Sequence, residues 1–417
     1  MNQMNPFKEK RQLRQRFDVK AYCAFATSLL LLLSVRLPLQ AMVKDKVLKT
    51  QANMMVELAF ITANTYPDPF NQASSQVKRI ATTRSYIDDR PTAKYRLDAK
   101  DQGVVLKYGS GPDSSDYLGA RDIFVYEDKG TYYMHYDGAG LKGWLTCLAT
   151  SKDLVNWKIK GPVLDYGKPG SEDSRSASYG TVYFDGMKWQ MFYIGTPNVS
   201  RAPNFIPAFP YLTKKAESNS PAGPWKKRYD ITPFSTKPGS YYSAAASPGS
   251  IIKVGNEYRM VFSAQTSQRT IKRTLAYART KNLDSTWVAD SAPFLPMEEQ
   301  IENSSVYYEP KNKTWFVFTN HVGIKNRLEY TDAIWVYWTK NLDHWDAENK
   351  AVVLDSSNCS WSKHIIGLPS VVKLGKRLAI FYDGNNAAEI PAGNDSHMRR
   401  DIGLAWLELP LRLPQEK

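Results

Sequence analysis

Five times between residues 121 and 384 the sequence repeats one short device: a strand of β-branched and aromatic residues, a brief polar turn, and a second aromatic strand. The copies are RDIFVYEDKGTYYMHYDG (121–138), YGTVYFDGMKWQMFYIG (179–195), SPGSIIKVGNEYRMVFSA (247–264), ENSSVYYEPKNKTWFVFTN (302–320) and LPSVVKLGKRLAIFYDG (368–384). Each reads as a β-hairpin. The first four are followed by another strand, a turn of Asp, Asn, Pro or Gly, and a tryptophan: Trp157, Trp225, Trp287 and Trp345, spaced 68, 62 and 58 residues apart. A period near 60 with four strands per unit predicts an all-β chain, a five-bladed β-propeller with four-stranded antiparallel blades.

A ring of sheets has no open edge when its last blade is shared between the two ends of the chain. DIGLAWLELPL (401–411) reads as the third strand of that blade, and AKYRLDAKDQGVVLKYG (93–109) as its outer strand. The domain plan is a targeting segment over 1–41, an extension over 42–94 in which KVLKTQANMMVELAFITAN reads as a short helix, and the propeller over 95–417.

The targeting segment has a basic stretch (Lys8, Lys10, Arg11, Arg14, Arg16, Lys20) followed by the 15-residue apolar run AYCAFATSLLLLLSV. A membrane span needs ~20 apolar residues and a signal peptide about 7–15. The reading is therefore a cleaved signal peptide and export to the periplasm or outside the cell, with an uncleaved anchor as the alternative. Removing residues 1–41 takes the net charge from +14 to +9. That excess suits a solvated basic surface or an anionic polysaccharide. No nucleic-acid-binding module is present and no stable protein partner is implied. Cys147 and Cys359, left after cleavage, form no metal cluster, and the sequence leaves a single bridge between them open.

Asp122 stands at the start of the first hairpin. The first strand of each blade lines a propeller's central channel, so this carboxylate faces a polar funnel. Asp122 followed by Tyr132-Tyr133-Met134, together with ATSKDLVNW and SPAGPW, resembles the first-blade pattern and turn strings of the five-bladed glycoside hydrolases of families 43 and 32 and their relatives. The resemblance covers residues 105–411, with Ile123 where proline is usual and without the WMNDPNG string of the fructan enzymes. It implies that Asp122 is general base or nucleophile. It also implies that Glu302, opening IENSSVYYEP in the fourth hairpin, is the general acid, with Glu309 as an exposed alternative in the turn. Glycosidic cleavage needs such a pair: one carboxyl protonates the leaving oxygen while the other attacks or activates water.

The third carboxylate that tunes the acid in these families has no match in the second and third hairpins, where Tyr179 and Pro248-Gly249 stand. Asp173, in the polar run SEDSRSASYG, is the nearest candidate. His135, Asp137, Trp144, Arg175, His321, His397 and Arg400 are candidates for holding substrate. His397 lies in NDSHMRRDIG, before the last strand, where family 43 relatives hold a metal-binding histidine. No cofactor is required by this reading, though it leaves room for a structural calcium or sodium ion on the axis. The rival classes are a non-catalytic carbohydrate-binding propeller and a propeller-type phosphorylase. The second needs a basic cluster for phosphate, for which Arg175, Arg399 and Arg400 are available. No GxSxG or HExxH string occurs.

Overall fold

The computed structural model describes residues 74–84, 92–267, 271–325 and 328–414. The signal-peptide reading and the short helix of the extension lie outside them. The described residues contain strands and three 3-10 turns, with no α-helix, and no helix among them is long and apolar enough to cross a membrane.

The hairpins stand as the first two strands of five antiparallel sets. The first set is Gly119–Asp128, Thr131–Gly140, Gly143–Ser151 and Lys158–Pro162. The second is Ser176–Phe184, Trp189–Thr196, Leu212–Ser218 and Lys226–Lys227. In the third, a two-piece inner strand (Ala245–Ser247, Ile251–Val254) precedes Glu257–Gln265, Arg273–Thr280 and Val288–Ala289. The fourth is Ile301–Glu309, Thr314–His321, Ala333–Thr339 and Lys350–Asp355. The fifth is Ile366–Leu374, Arg377–Gly384 and Asp401–Glu408, completed by Lys100–Leu106 from the front of the chain.

Buried apolar clusters join each set to the next. Tyr126 and Met191 belong to the one between the first and second sets, Phe192 and Phe262 to the next, then Val261 and Val317, then Phe318 and Ile380. A fifth cluster, with Ile123 and Phe381, joins the last set back to the first. The repeated tryptophans are part of this cement. Trp157 meets Phe381 edge-on at 5.5 Å, Trp225 meets His135 at 5.7 Å and Trp287 meets Phe192 at 5.5 Å. Trp345 donates to the Tyr277 hydroxyl at 3.0 Å. Each Trp thus leans on the set before its own, adding oriented aromatic contact to the buried area.

One detail differs from the sequence plan, and one that it left open is answered. The residue-95 boundary cuts a strand, Ala93–Arg96, which lies parallel to Lys350–Asp355 and carries Lys78–Arg84 on its other side. Part of the expected extension therefore belongs to the fourth sheet, and Arg96 holds Asp355 at 2.9 Å. Cys147 and Cys359 are free buried thiols in separate clusters, so they form no bridge.

The closing strand is fastened by Asp101, which accepts from the Tyr382 hydroxyl and from the Ser360 N–H at 2.6 Å. Asp101→Ala is expected to cost about 1–3 kcal/mol, the range for stranding donors that lose a charged acceptor. Urea unfolding followed by tryptophan fluorescence checks this; an unchanged midpoint would show that backbone pairing alone closes the ring.

Candidate active site

Each inner strand is interrupted at one place. A bulge follows Arg121 in the first set, Ser178 in the second, Glu302 in the fourth and Gly367 in the fifth, and the strand breaks after Ser247 in the third. The residue at the interruption is Asp122, Tyr179, Pro248, Asn303 or Leu368. The four that are not proline have φ of 51°, 49°, 56° and 57°. Non-glycine residues enter this left-handed region only under constraint, and bulges re-aim side chains near functional sites.

A bulge frees a backbone N–H from its ladder, and a buried N–H must find another acceptor. Here the preceding set supplies it. Asp383 accepts from the Asp122 N–H at 3.4 Å, Asp137 from Tyr179, Ser263 from Asn303 at 2.8 Å and Asn320 from Leu368 at 3.1 Å. All four acceptors occupy one register position, opposite the residue before the bulge. In the second set that position is Ile194, which cannot accept, and the residue it would serve is Pro248, which has no N–H. Donor and acceptor are missing together.

Asp122 and Glu302 line one cavity, together with Arg121, Asp137, Arg273 and His397. Arg121 donates to Asp122 through Nε at 2.7 Å and to His397 Nδ1 through Nη1 at 2.8 Å. Asn303 Nδ2 donates to the other Asp122 oxygen at 3.2 Å. Asp122 is therefore gripped from its own strand and from the fourth set, beside Glu302. Glu302 in turn accepts from Arg273 Nη1, while Nη2 of the same guanidinium donates to Glu329. Burial raises the Glu302 carboxyl above its ordinary range against the pull of Arg273; Glu329 and Asp122 add to the rise. Burial, and then Asp122, push Asp137 well above its ordinary range. Burial, with Arg121, Arg400 and Arg273 nearby, holds the His397 imidazole well below its own. Since Arg121 can only donate, His397 accepts at Nδ1 and carries its proton on Nε2.

The other candidates separate. Trp144 and Arg400 line the cavity. Trp144 lies under the Arg121 guanidinium at 5.4 Å, and Arg400 holds Asp383 at 2.8 Å. His135 is fully buried between Tyr126 and the Gly180 carbonyl, at 3.1 and 2.9 Å, and does not reach the cavity. His321 is likewise buried, stacked on Trp335 at 3.9 Å and bonded to the Tyr337 hydroxyl at 2.8 Å. Asp173 faces away onto the second set. Lys227 at 2.6 Å and Tyr193 at 2.8 Å hold it there, and despite its burial they keep the carboxyl below its ordinary range. Arg175 is exposed and off the cavity. Glu309, expected exposed, is buried at the far end of its strand, where it accepts from the Leu411 N–H at 3.1 Å.

Sequence reasoning missed Arg273, Asn303, Glu329 and Asp383. Only Asp383 had a visible signal, because FYDG in the fifth hairpin repeats the HYDG that carries Asp137. The implied axial cation does not fit these residues. Asp122 and Glu302 are already bound to guanidinium groups, Asp137 accepts from the Tyr179 N–H, and the His397 nitrogen not facing Arg121 is protonated. No group of three or more His, Cys, Asp or Glu among the described residues is placed to hold a metal ion.

These sheets have the propeller fold, and solved structures of glycoside hydrolases with that fold superpose on the chain. One described simply as a glycoside hydrolase matches with a TM-score of 0.59 and 16% identity, over 76% of this chain and 95% of its own. A BT0996 RGII complex gives 0.58 and 15%, over 76% and 94%. The catalytic domain of the GH62 α-L-arabinofuranosidase of Coprinopsis cinerea gives 0.51 and 12%, over 74% and 96%. Neither a family model nor a curated protein matches the sequence.

The placement of His135 has a consequence for acid stability. Burial lowers its pKa to about 4, against an ordinary value near 6.5. Between those values the unfolded chain binds the proton that the folded chain excludes. The contribution of His135 is therefore complete above pH 6.5 and is lost as pH falls toward 4. Wild type is expected to lose more stability between pH 7 and pH 4.5 than His135→Gln loses, by up to ~3 kcal/mol. Urea midpoints of both proteins at both pH values check this, and parallel losses would refute it.

Proposed function

We propose that the chain is an exported five-bladed propeller glycoside hydrolase, each of the five strand sets being one blade, with Glu302 as general acid and Asp122 as nucleophile or general base. The observation that carries the reading is the grip of Asn303 on Asp122 at 3.2 Å. It ties the carboxylate of the first inner strand to the residue next to Glu302 in the fourth, over one shared cavity. The raised Glu302 carboxyl is the group that can keep a proton and give it to the glycosidic oxygen. Asp122, ion-paired to Arg121 and hydrogen-bonded by Asn303, is the group to attack the anomeric carbon or to take a proton from the water that does. Fold likeness to glycoside hydrolases agrees with this assignment.

The two roles predict two kinds of mutant. Asp122→Asn should abolish turnover of every substrate. Glu302→Gln should lose ~10²–10⁴ in kcat/KM on poor leaving groups and little on activated aryl glycosides, which need scant protonation. Activity that depends on protonated Glu302 falls as pH rises through its pKa, so on poor leaving groups the wild-type pH profile should have an alkaline limb that the residual activity of Glu302→Gln lacks. Near-wild-type turnover by Asp122→Asn would sink the assignment.

Export rests on the basic stretch and short apolar run of residues 1–41. Amino-terminal sequencing of secreted protein should begin near Met42; an intact Met1 end in the membrane fraction would contradict it.

A further inference from the structure

The chain is strongly basic, at +14 overall, which by itself favours an acidic substrate. The cavity is built the other way. Three arginines line it and no lysine does. Arg121 is engaged by Asp122 and by His397 Nδ1. Arg400 is engaged by Asp383 and by the Ser396 carbonyl, at 2.8 and 2.9 Å. Arg273 is capped on both arms, Nη1 by Glu302 and Nη2 by Glu329. Against these three cations stand four lining carboxyls, Asp122, Asp137, Glu302 and Glu329, with Asp383 behind them. The aliphatic part of the wall, including Ile194, Ile206, Pro207 and Val322, offers no side-chain donor.

Recognition of a uronate or a sulfate is served best by a free guanidinium fork or ammonium group. An anion entering this cavity would have to share guanidinium groups already engaged by Asp122, Glu302, Glu329 and Asp383, beside further carboxyl groups and apolar carbon.

We infer that the sugar bound in this cavity is uncharged, and that Glu329 is the specificity-determining residue that closes Arg273 to an anionic one. The inference rests on the glycosidase reading above. Glu329 lies on Leu328–Tyr330, a strand that forms a hairpin with Gly323–Lys325 between the second and third strands of the fourth set. Its carboxylate occupies the arm of Arg273 that a substrate carboxylate would otherwise take.

The test compares matched substrates: aryl glucoside with glucuronide, aryl galactoside with galacturonide, and plant or algal oligosaccharides before and after desulfation. The neutral member should exceed its anionic partner in kcat/KM by at least about a hundredfold. Glu329→Gln should narrow that ratio by at least about tenfold, because one arm of Arg273 becomes available. Merely structural damage would lower both members together and leave the ratio alone, which overturns the role of Glu329. Preference of the wild type for the uronide or the sulfated sugar overturns the inference and leaves the glycosidase reading standing. Absence of turnover on every pair overturns that reading. Calorimetric titration of each neutral sugar and its uronate into wild type then decides the inference, and equal or tighter binding of the uronate overturns it.

Discussion

The backbone N–H released at each inner-strand bulge is the constraint around which the centre of this molecule is arranged. A propeller brings all its inner strands to one axis, where such a donor cannot be left to water. The acceptors Asp383, Asp137, Ser263 and Asn320 each come from the preceding set and occupy one register position. One ring of side chains therefore satisfies the backbone, holds four non-glycine residues at positive φ and fixes the set-to-set geometry. The Ile194–Pro248 pair obeys the same rule by omission. Asp122 is aimed by this arrangement, since its own N–H is held by Asp383.

Upon that ring sits a second layer of pairing between charges. Arg121 and Arg273 each hold one carboxylate of the proposed catalytic pair, and Arg400 secures the Asp383 latch. Buried charges are tolerable only when paired in this way. The ion pairs are carried by rigid strands packed against neighbouring sheets, so the carboxylates are positioned by the fold more than by loops. The same packing explains why Asp137 and His135 are neighbours in sequence with separate surroundings. Both meet the second set, Asp137 at the Tyr179 N–H and His135 at the Gly180 carbonyl, but only Asp137 is near enough to the axis to line the cavity.

The hairpins, the closing strand and the turn tryptophans were legible because each is written in local periodicity, and Lys100–Leu106, within the 93–109 segment, does supply the last outer strand. Asp122 and Glu302 were legible as carboxylates placed where an inner strand of β-branched and aromatic residues begins. Depth was not legible. His135 and His321 sit on second strands and look like rim residues in sequence, yet both are sealed between sets. Arg273 and Glu329 were missed because their meaning is wholly relational. Each is an ordinary charged residue until the third and fourth sets place them on either side of one guanidinium pairing. Asp173 misled for the converse reason: a polar loop next to an inner strand folded outward onto Lys227.

The last sheet is completed by Lys100–Leu106, although its partner strand is Asp401–Glu408. On the ribosome, the earlier strand emerges some three hundred residues before anything exists for it to pair with. At roughly 5–20 residues per second it waits on the order of 15–60 s with its ladder groups unanswered. The nascent chain must therefore keep a VVL-containing edge out of wrong partnerships for that whole interval. The polar residues of this strand, Lys100, Asp101 and Gln102, with Gly103 behind them, are the kind of composition that discourages intermolecular β-pairing. Ring closure is thus a question of timing as well as of geometry, and the residues that finish the sheet are also those that must stay innocuous longest.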